Sequence, residues 1–209
     1  MRTAAVQINS GPDRDLNIES AGRQVLAAVK DGAEFVVLPE KWSLLVTGDA
    51  VAEGAEDADG EAMTAARCWA RGHGIHLLAG SFTEKSADGG LPANTSILVS
   101  PDGSDVASYR KIHMFDVDVG GVEYRESDTE AAGDEVVAAN QFGTAEPHFD
   151  SWGHSMIVDP WGRVLADAGD AEGYAIADLD FAERDRILGS LPAIHNRRPD
   201  VFRDGKGAA

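Results

Sequence analysis

Five consecutive segments near the N-terminus alternate in a pattern that few folds accept. "TAAVQIN", "EFVVLPE" and "IHLLAGSF" are short apolar runs bounded by turn residues, with the length and make-up of buried strands. Between them lie two longer segments, "LNIESAGRQVLAAVK" and "GEAMTAARCWARGHG", which read as helices. The first should start at a cap made by Asp15, turn Leu16, Ile18, Val25, Leu26 and Val29 largely to one side, and stop at Gly32. The second should end in glycines, after an acidic loop from Gly48 to Asp59. Parallel strands need a crossover helix between them, so this order predicts an α/β domain with a parallel sheet.

The pattern then changes. "ANTSILVS" and "SDVASYRK" flank Pro101-Asp102-Gly103, where proline pre-sets φ and glycine permits positive φ, so they should form a hairpin. "SWGHSMIVD" and "RVLADAG" flank Pro160-Trp161-Gly162 in the same way. "GYAIADLD" supplies a further strand before a predicted helix, "FAERDRILGSL", and a polar tail. The charged run from Lys111 to Gly133 shows no regular period, and it is expected to be a long functional loop.

A length of 209 residues suits one domain, residues 1–209. The net charge of −18, from 36 acidic and 18 basic residues, repels nucleic acid and anionic membranes, so neither is an expected partner. Lysine is scarce, five beside thirteen arginines, and the acids are spread along the chain. Such a surface suits a halophilic source, in whose salt-rich cytoplasm self-repulsion is screened; a gain of stability at molar salt would follow. The lone Cys68 has no disulfide partner in the chain, the N-terminal segment lacks a signal-peptide core, and no apolar run approaches a membrane span. A soluble cytoplasmic protein is expected.

Two charged residues stand where chemistry is usually placed. Glu40 closes "FVVLPE" and Lys111 closes "ASYRK", each at a strand end, where α/β folds commonly build their sites. A carboxylate that takes a proton from a nucleophile and an ammonium that stabilises an oxyanion suit an amide hydrolase, although an ordinary ion pair would use the same residues.

The segments "AAVQIN", "FVVLPE", "YRKIHMFDVDV", "YRESDTEAAGD" and "WGHSMIVDPWG" resemble, in order, those of the nitrilase superfamily of carbon-nitrogen hydrolases, across nearly the whole chain. The loop looks nearest to the branch of omega-amidases and deaminated glutathione amidases. The resemblance implies a four-layer αββα sandwich, a Glu-Lys-Cys triad acting on a small linear amide, no cofactor and a tendency to homo-oligomers. Glu40 matches the general base, Lys111 the lysine, and Glu126 of "YRES" a second glutamate, with Glu123 one turn away. Trp152, Ser155, Asp159, Pro160 and Gly162 match a structural strand-turn-strand segment.

The family's cysteine motif has no counterpart in this chain. In relatives, the acidic loop leads into two strands and two helices that carry the nucleophile; here Asp134-Glu135 runs directly to Ala138-Ala139-Asn140-Gln141. The expectation is an incomplete sandwich with an internal deletion near residues 137–138, in which Val136 and Val137 fit either side of the join. Apolar faces and strand edges would be left uncovered, and the isolated chain would fold poorly unless a partner filled the gap.

Three readings follow: an amidase lineage with an internal deletion, a non-catalytic binding or regulatory relative, or a hydrolase with another nucleophile. The first alone explains why Glu40 and Lys111 persist. Cys68, on a helix, has no match to the nucleophile motif and reads as an inert core thiol. His154 and Ser155, adjacent on a predicted strand, point to opposite faces and do not make a dyad. His73, His76, His113, Asp116 and Asp118 lack a recognised metal-ligand spacing, so no metal is expected.

Overall fold

The computed structural model of the protein describes residues 1–111, 116–119, 122–125, 141–145, 149–159, 163–182 and 186. The five N-terminal segments form the predicted βαβαβ core. Strands β1 (Arg2–Gln7), β2 (Phe35–Val37) and β3 (His76–Leu78) pair in parallel, with helices α1 (Arg14–Lys30) and α3 (Glu61–His73) in the crossovers. The acidic loop holds one further short helix, α2 (Ala50–Glu53).

Helix α1 begins earlier than its sequence suggests. Asp13, not Asp15, is the cap: its carboxylate accepts from the Leu16 amide at 3.1 Å, and Asp15 lies in the first turn, where a negative charge suits the helix dipole. The buried stripe is correspondingly different. Asn17, Ala21, Val25 and Ala28 face the sheet, Ile18 and Val29 lie partly buried, and Leu16 and Leu26 are exposed. Small alanines let the helix lie close to the sheet, a preference that counting large apolar residues overlooks. At the end of α3, Gly74 takes the left-handed conformation (φ +66°) and closes the helix as expected.

"IHLLAGSF" is two strands rather than one. The chain leaves β3 at Ala79, turns at Gly80 (φ +45°) and continues as β4 (Phe82–Glu84). β5 (Ala93–Val99) pairs with β3 and β4 and, through the predicted hairpin, with β6 (Asp105–Arg110). The C-terminal strand β13 (Gly173–Asp178) returns antiparallel to β1, giving a seven-stranded sheet in the order β13-β1-β2-β3-β5-β4 with β6 on β5.

Alternation along β1 divides the molecule into layers. Ala4, Val6 and Ile8 join the core beneath α1 and α3, with Val36, Leu38, Met63 and Leu77. Ala5 faces the other way, into a smaller cluster with Ala175 and with Ile157 from the predicted second hairpin, β11 (Met156–Val158) and β12 (Val164–Asp167). Gln7, on the same side as Ala5 and fully buried, ties the layers with three hydrogen bonds. Its side chain donates to the carbonyls of Gly169 and Ala171 and accepts from the Ser155 amide.

Two further hairpins complete the described residues: β7 (Asp116–Val119) with β8 (Val122–Arg125), and β9 (Phe142–Ala145) with β10 (Phe149–Trp152). The first lies inside the run expected to be an irregular loop; Asp116, Asp118 and Glu123 are strand residues there. Among the described residues, the architecture is a helix layer, a seven-stranded sheet and parts of a second strand layer, an incomplete αββα arrangement. Val136, Val137 and the helix predicted after Leu179, apart from Phe181, Ala182 and Arg186, lie outside the described residues. Among the described residues, no helix is long and apolar enough to cross a membrane.

Candidate active site

Glu40 owes its place to the end of β2. Pro39 has no N–H for the ladder and stops the strand, and Lys41 adopts a left-handed φ of +49° that swings the chain away. The turn is fastened to residues 79–81. Ser81 donates its amide to the Pro39 carbonyl at 3.3 Å, its hydroxyl accepts from the Lys41 amide at 3.0 Å, and the buried Trp42 indole donates to the Ala79 carbonyl at 2.9 Å. Gly80 passes so close that a β-carbon there would lie 1.9 Å from the Pro39 carbonyl oxygen.

Lys111 follows β6 and is delivered to the same place by strand pairing. Its amide donates to the Asn94 carbonyl at 2.9 Å, which sets Lys111 opposite Asn94 across β5 and β6. Both side chains converge on one oxygen: Lys111 Nζ lies 2.9 Å from Glu40 Oε1, and Asn94 Nδ2 donates to that same atom at 2.8 Å. Among the described residues, Glu40 Oε2 takes no hydrogen bond. The Glu40 side chain is 45% exposed and that of Lys111 24%.

Gln141 completes the frame. It is buried, donates its side-chain amide to the Glu40 carbonyl at 2.5 Å, and accepts from the Ser10 amide at 3.0 Å. Asn94 and Gln141 were not apparent as site residues from the sequence. A signal existed for Asn94: an amide inside the apolar strand "ANTSILVS", where asparagine is disfavoured unless something bonds it.

A carboxylate whose one oxygen is saturated by an ammonium and an amide keeps the other for an incoming proton, and the ammonium stands ready beside it for a developing oxyanion. Glu126, expected beside this pair, lies outside the described residues, as do His113, Pro160 and Gly162.

Other candidate groups are placed elsewhere. Cys68 is an exposed residue of α3 rather than a core thiol, 3.9 Å from an Arg71 nitrogen. His154 and Ser155 lie in the loop between β10 and β11, not on a strand. His154, in a left-handed conformation (φ +55°), has Nδ1 3.0 Å from Asp167 Oδ2, whereas Ser155 is buried with its amide on Gln7. Asp159 is a turn residue, bonded by both the amide and guanidinium of Arg163, and Trp152 is 82% exposed.

The carbon-nitrogen hydrolase family profile matches residues 2–138 and 135–187, most of the chain, in two stretches. The chain belongs to the carbon-nitrogen hydrolase family. Its relatives place it in the nitrilase superfamily, on the expected branch. The omega-amidase NIT2 of Xenopus tropicalis is 28% identical over 267 aligned positions, which span 96% of each chain. A deaminated glutathione amidase of a Synechocystis species is 27% identical over 263 positions, spanning 93% of this chain and 97% of the relative. Alignments of 267 positions against a chain of 209 residues leave at least 58 positions occupied by the relative alone. Among solved structures, the NitFhit protein of C. elegans superposes with a TM-score of 0.83 at 24% identity, covering 96% of this chain and 66% of that one. Saccharomyces cerevisiae Nit3 gives 0.78 at 19%, covering 95% and 96%. These two likenesses establish the fold of this carbon-nitrogen hydrolase.

Proposed function

We propose that this carbon-nitrogen hydrolase retains the base-and-ammonium half of an amidase site, Glu40 with Lys111, and lacks the nucleophilic thiol because of an internal deletion near residues 137–138. The observation that carries the reading is the 2.9 Å approach of Lys111 Nζ to Glu40 Oε1. Two further facts support it: the two stretches of the family match meet at residues 135–138, and the relatives hold at least 58 positions that this chain does not.

In the complete site, Glu40 Oε2 takes the proton of a cysteine thiol whose sulfur attacks the carbonyl of a small linear amide. Lys111 steadies the oxyanion, ammonia or an amine departs with a proton from Glu40, and water then hydrolyses the thioester to a carboxylic acid. Glu126 joins the site on the strength of the "YRES" match alone, and no cofactor enters these steps. Without the thiol, the chain by itself does not turn over amides.

Ammonia release from small omega-amides tests this. The purified chain and its Cys68→Ala variant should both give the blank rate. Turnover by the chain that Cys68→Ala abolishes would make Cys68 the nucleophile and refute the reading.

A further inference from the structure

Glu84 takes no part in the chemistry of Glu40 and Lys111, yet it is a carboxylate only 13% exposed, in β4 beside the strands that carry the site. Its Oε2 accepts from Thr95 Oγ1 at 2.7 Å and from Arg110 Nε at 2.8 Å. Burial opposes its charge, but these bonds outweigh burial and hold the carboxyl below its ordinary range. Thr95 and Arg110 are register partners across β5 and β6, and next to them in the chain stand Asn94 and Lys111, which both donate to Glu40 Oε1. Successive side chains of a strand point to opposite faces. The end of β6 is therefore gripped from both faces by one device, a carboxylate oxygen that takes a donor from β5 and a cation from the β6 side. Glu40 does this on the site face and Glu84 on the helix face, where Phe82 and Ile97 join the core.

We propose that Glu84 is a positioning residue for Lys111, acting through Arg110; the proposal rests on the base-and-ammonium reading of Glu40 and Lys111. Among the described residues β6 pairs with β5 alone, so its end leans on one neighbouring strand. Glu84 is a fixed anchor for it, because the Glu56 backbone brackets that position, its amide donating to the Thr83 carbonyl at 2.9 Å and its carbonyl accepting from the Lys85 amide at 2.8 Å. β4 also starts directly after Ser81, which fastens the Glu40 turn through its hydroxyl and amide. One short segment, 81–84, thus fixes both members of a pair that lie 71 residues apart in sequence. The other restraint on β6 is poorly placed to do so. Arg67 grips Asp105 at 2.9 and 2.8 Å at the start of the strand, beyond a register shift between Leu98 and Val99 that interrupts the ladder on the way to Lys111.

Nuclear magnetic resonance of the full chain, isotope-labelled in its five lysines, tests this. The readout is the coupling between the Lys111 ammonium nitrogen and the Glu40 carboxylate carbon across their hydrogen bond, which Glu40→Gln identifies by abolishing it. Glu84→Ala and Arg110→Gln should each lose the coupling, and Arg110 is 58% exposed, so its substitution leaves the core intact. Arg110→Lys, which returns a cation to Glu84, should keep it. Arg67→Gln is the control: it breaks an ion pair on the same strand and should lower the melting temperature at least as much as Arg110→Gln, yet keep the coupling. Coupling that persists in Arg110→Gln, or that is lost equally in Arg67→Gln, would overturn the proposal and leave Glu84 an ordinary stabilising ion pair. Coupling absent from the unsubstituted chain would instead refute the base-and-ammonium reading, and with no pair to position it would overturn this role as well.

Discussion

Gly80→Ala measures how tightly the turn that carries Glu40 is built. Two separate costs apply. A β-carbon at φ +45° incurs the left-handed penalty, about 1–2 kcal/mol. It would also sit 1.9 Å from the Pro39 carbonyl oxygen and 2.7 Å from that of Leu38, both backbone atoms that cannot rotate aside. Forcing a core to make such room typically costs about 1–3 kcal/mol more, so the sum is about 2–5 kcal/mol. Gly74→Ala supplies the reference, since Gly74 is also left-handed at φ +66° but has nothing within 4 Å of its β-carbon position. Urea unfolding followed by far-ultraviolet circular dichroism should show Gly80→Ala losing about 1–3 kcal/mol more than Gly74→Ala, a midpoint about 1 M lower at a common slope. Equal losses for the two variants would mean that residues 79–81 do not clamp the Pro39–Glu40 turn.

Three other outcomes follow from the same contacts. Gln7→Leu keeps the volume but strips partners from the Ser155 amide and the Gly169 and Ala171 carbonyls, and should destabilise the chain by about 3 kcal/mol or more in the same unfolding assay. Asp13→Ala should cost about 1 kcal/mol and Asp15→Ala less than about 0.5, which tests the reassigned helix cap by thermal melting. Burial opposes ionisation of Glu84, but hydrogen bonds from Arg110 and Thr95 outweigh it and hold the carboxyl below its usual range; the Arg67 hydrogen bond does the same for Asp105. Carboxyls lowered in the folded state are protonated first in the unfolded chain, so their contribution is intact above the ordinary carboxylate range and fades as pH falls through it. The acid limb of a stability-against-pH curve should therefore flatten in Glu84→Gln and in Asp105→Asn.

What the sequence disclosed depended on the range of the interaction involved. The parallel core was legible because the periods of "TAAVQIN" and "GEAMTAARCWARGHG" follow from burial on one face. The start of α1 was misplaced because Asp13 and Asp15 are both good caps, and only the path of the chain into the helix decides between them. The buried stripe of α1 was misjudged because close packing on the sheet favours Ala21 and Ala28 over Leu16 and Leu26. Glu40 and Lys111 were found by their places at strand ends, and they do meet. Asn94 and Gln141 were missed because their contacts span 54 and 101 residues, and no local pattern announces a hydrogen bond made across the fold. The hairpin at 116–125 was hidden by charged residues that mask strand alternation.

The central claim is that Glu40 and Lys111 stand together in this chain without a thiol to serve. Intact-mass spectrometry after incubation with a small linear omega-amide tests it most directly. The account predicts the unmodified mass of 22.1 kDa throughout, with or without Glu40→Gln. An acyl adduct on Cys68 that forms in the chain and disappears in Glu40→Gln would contradict it.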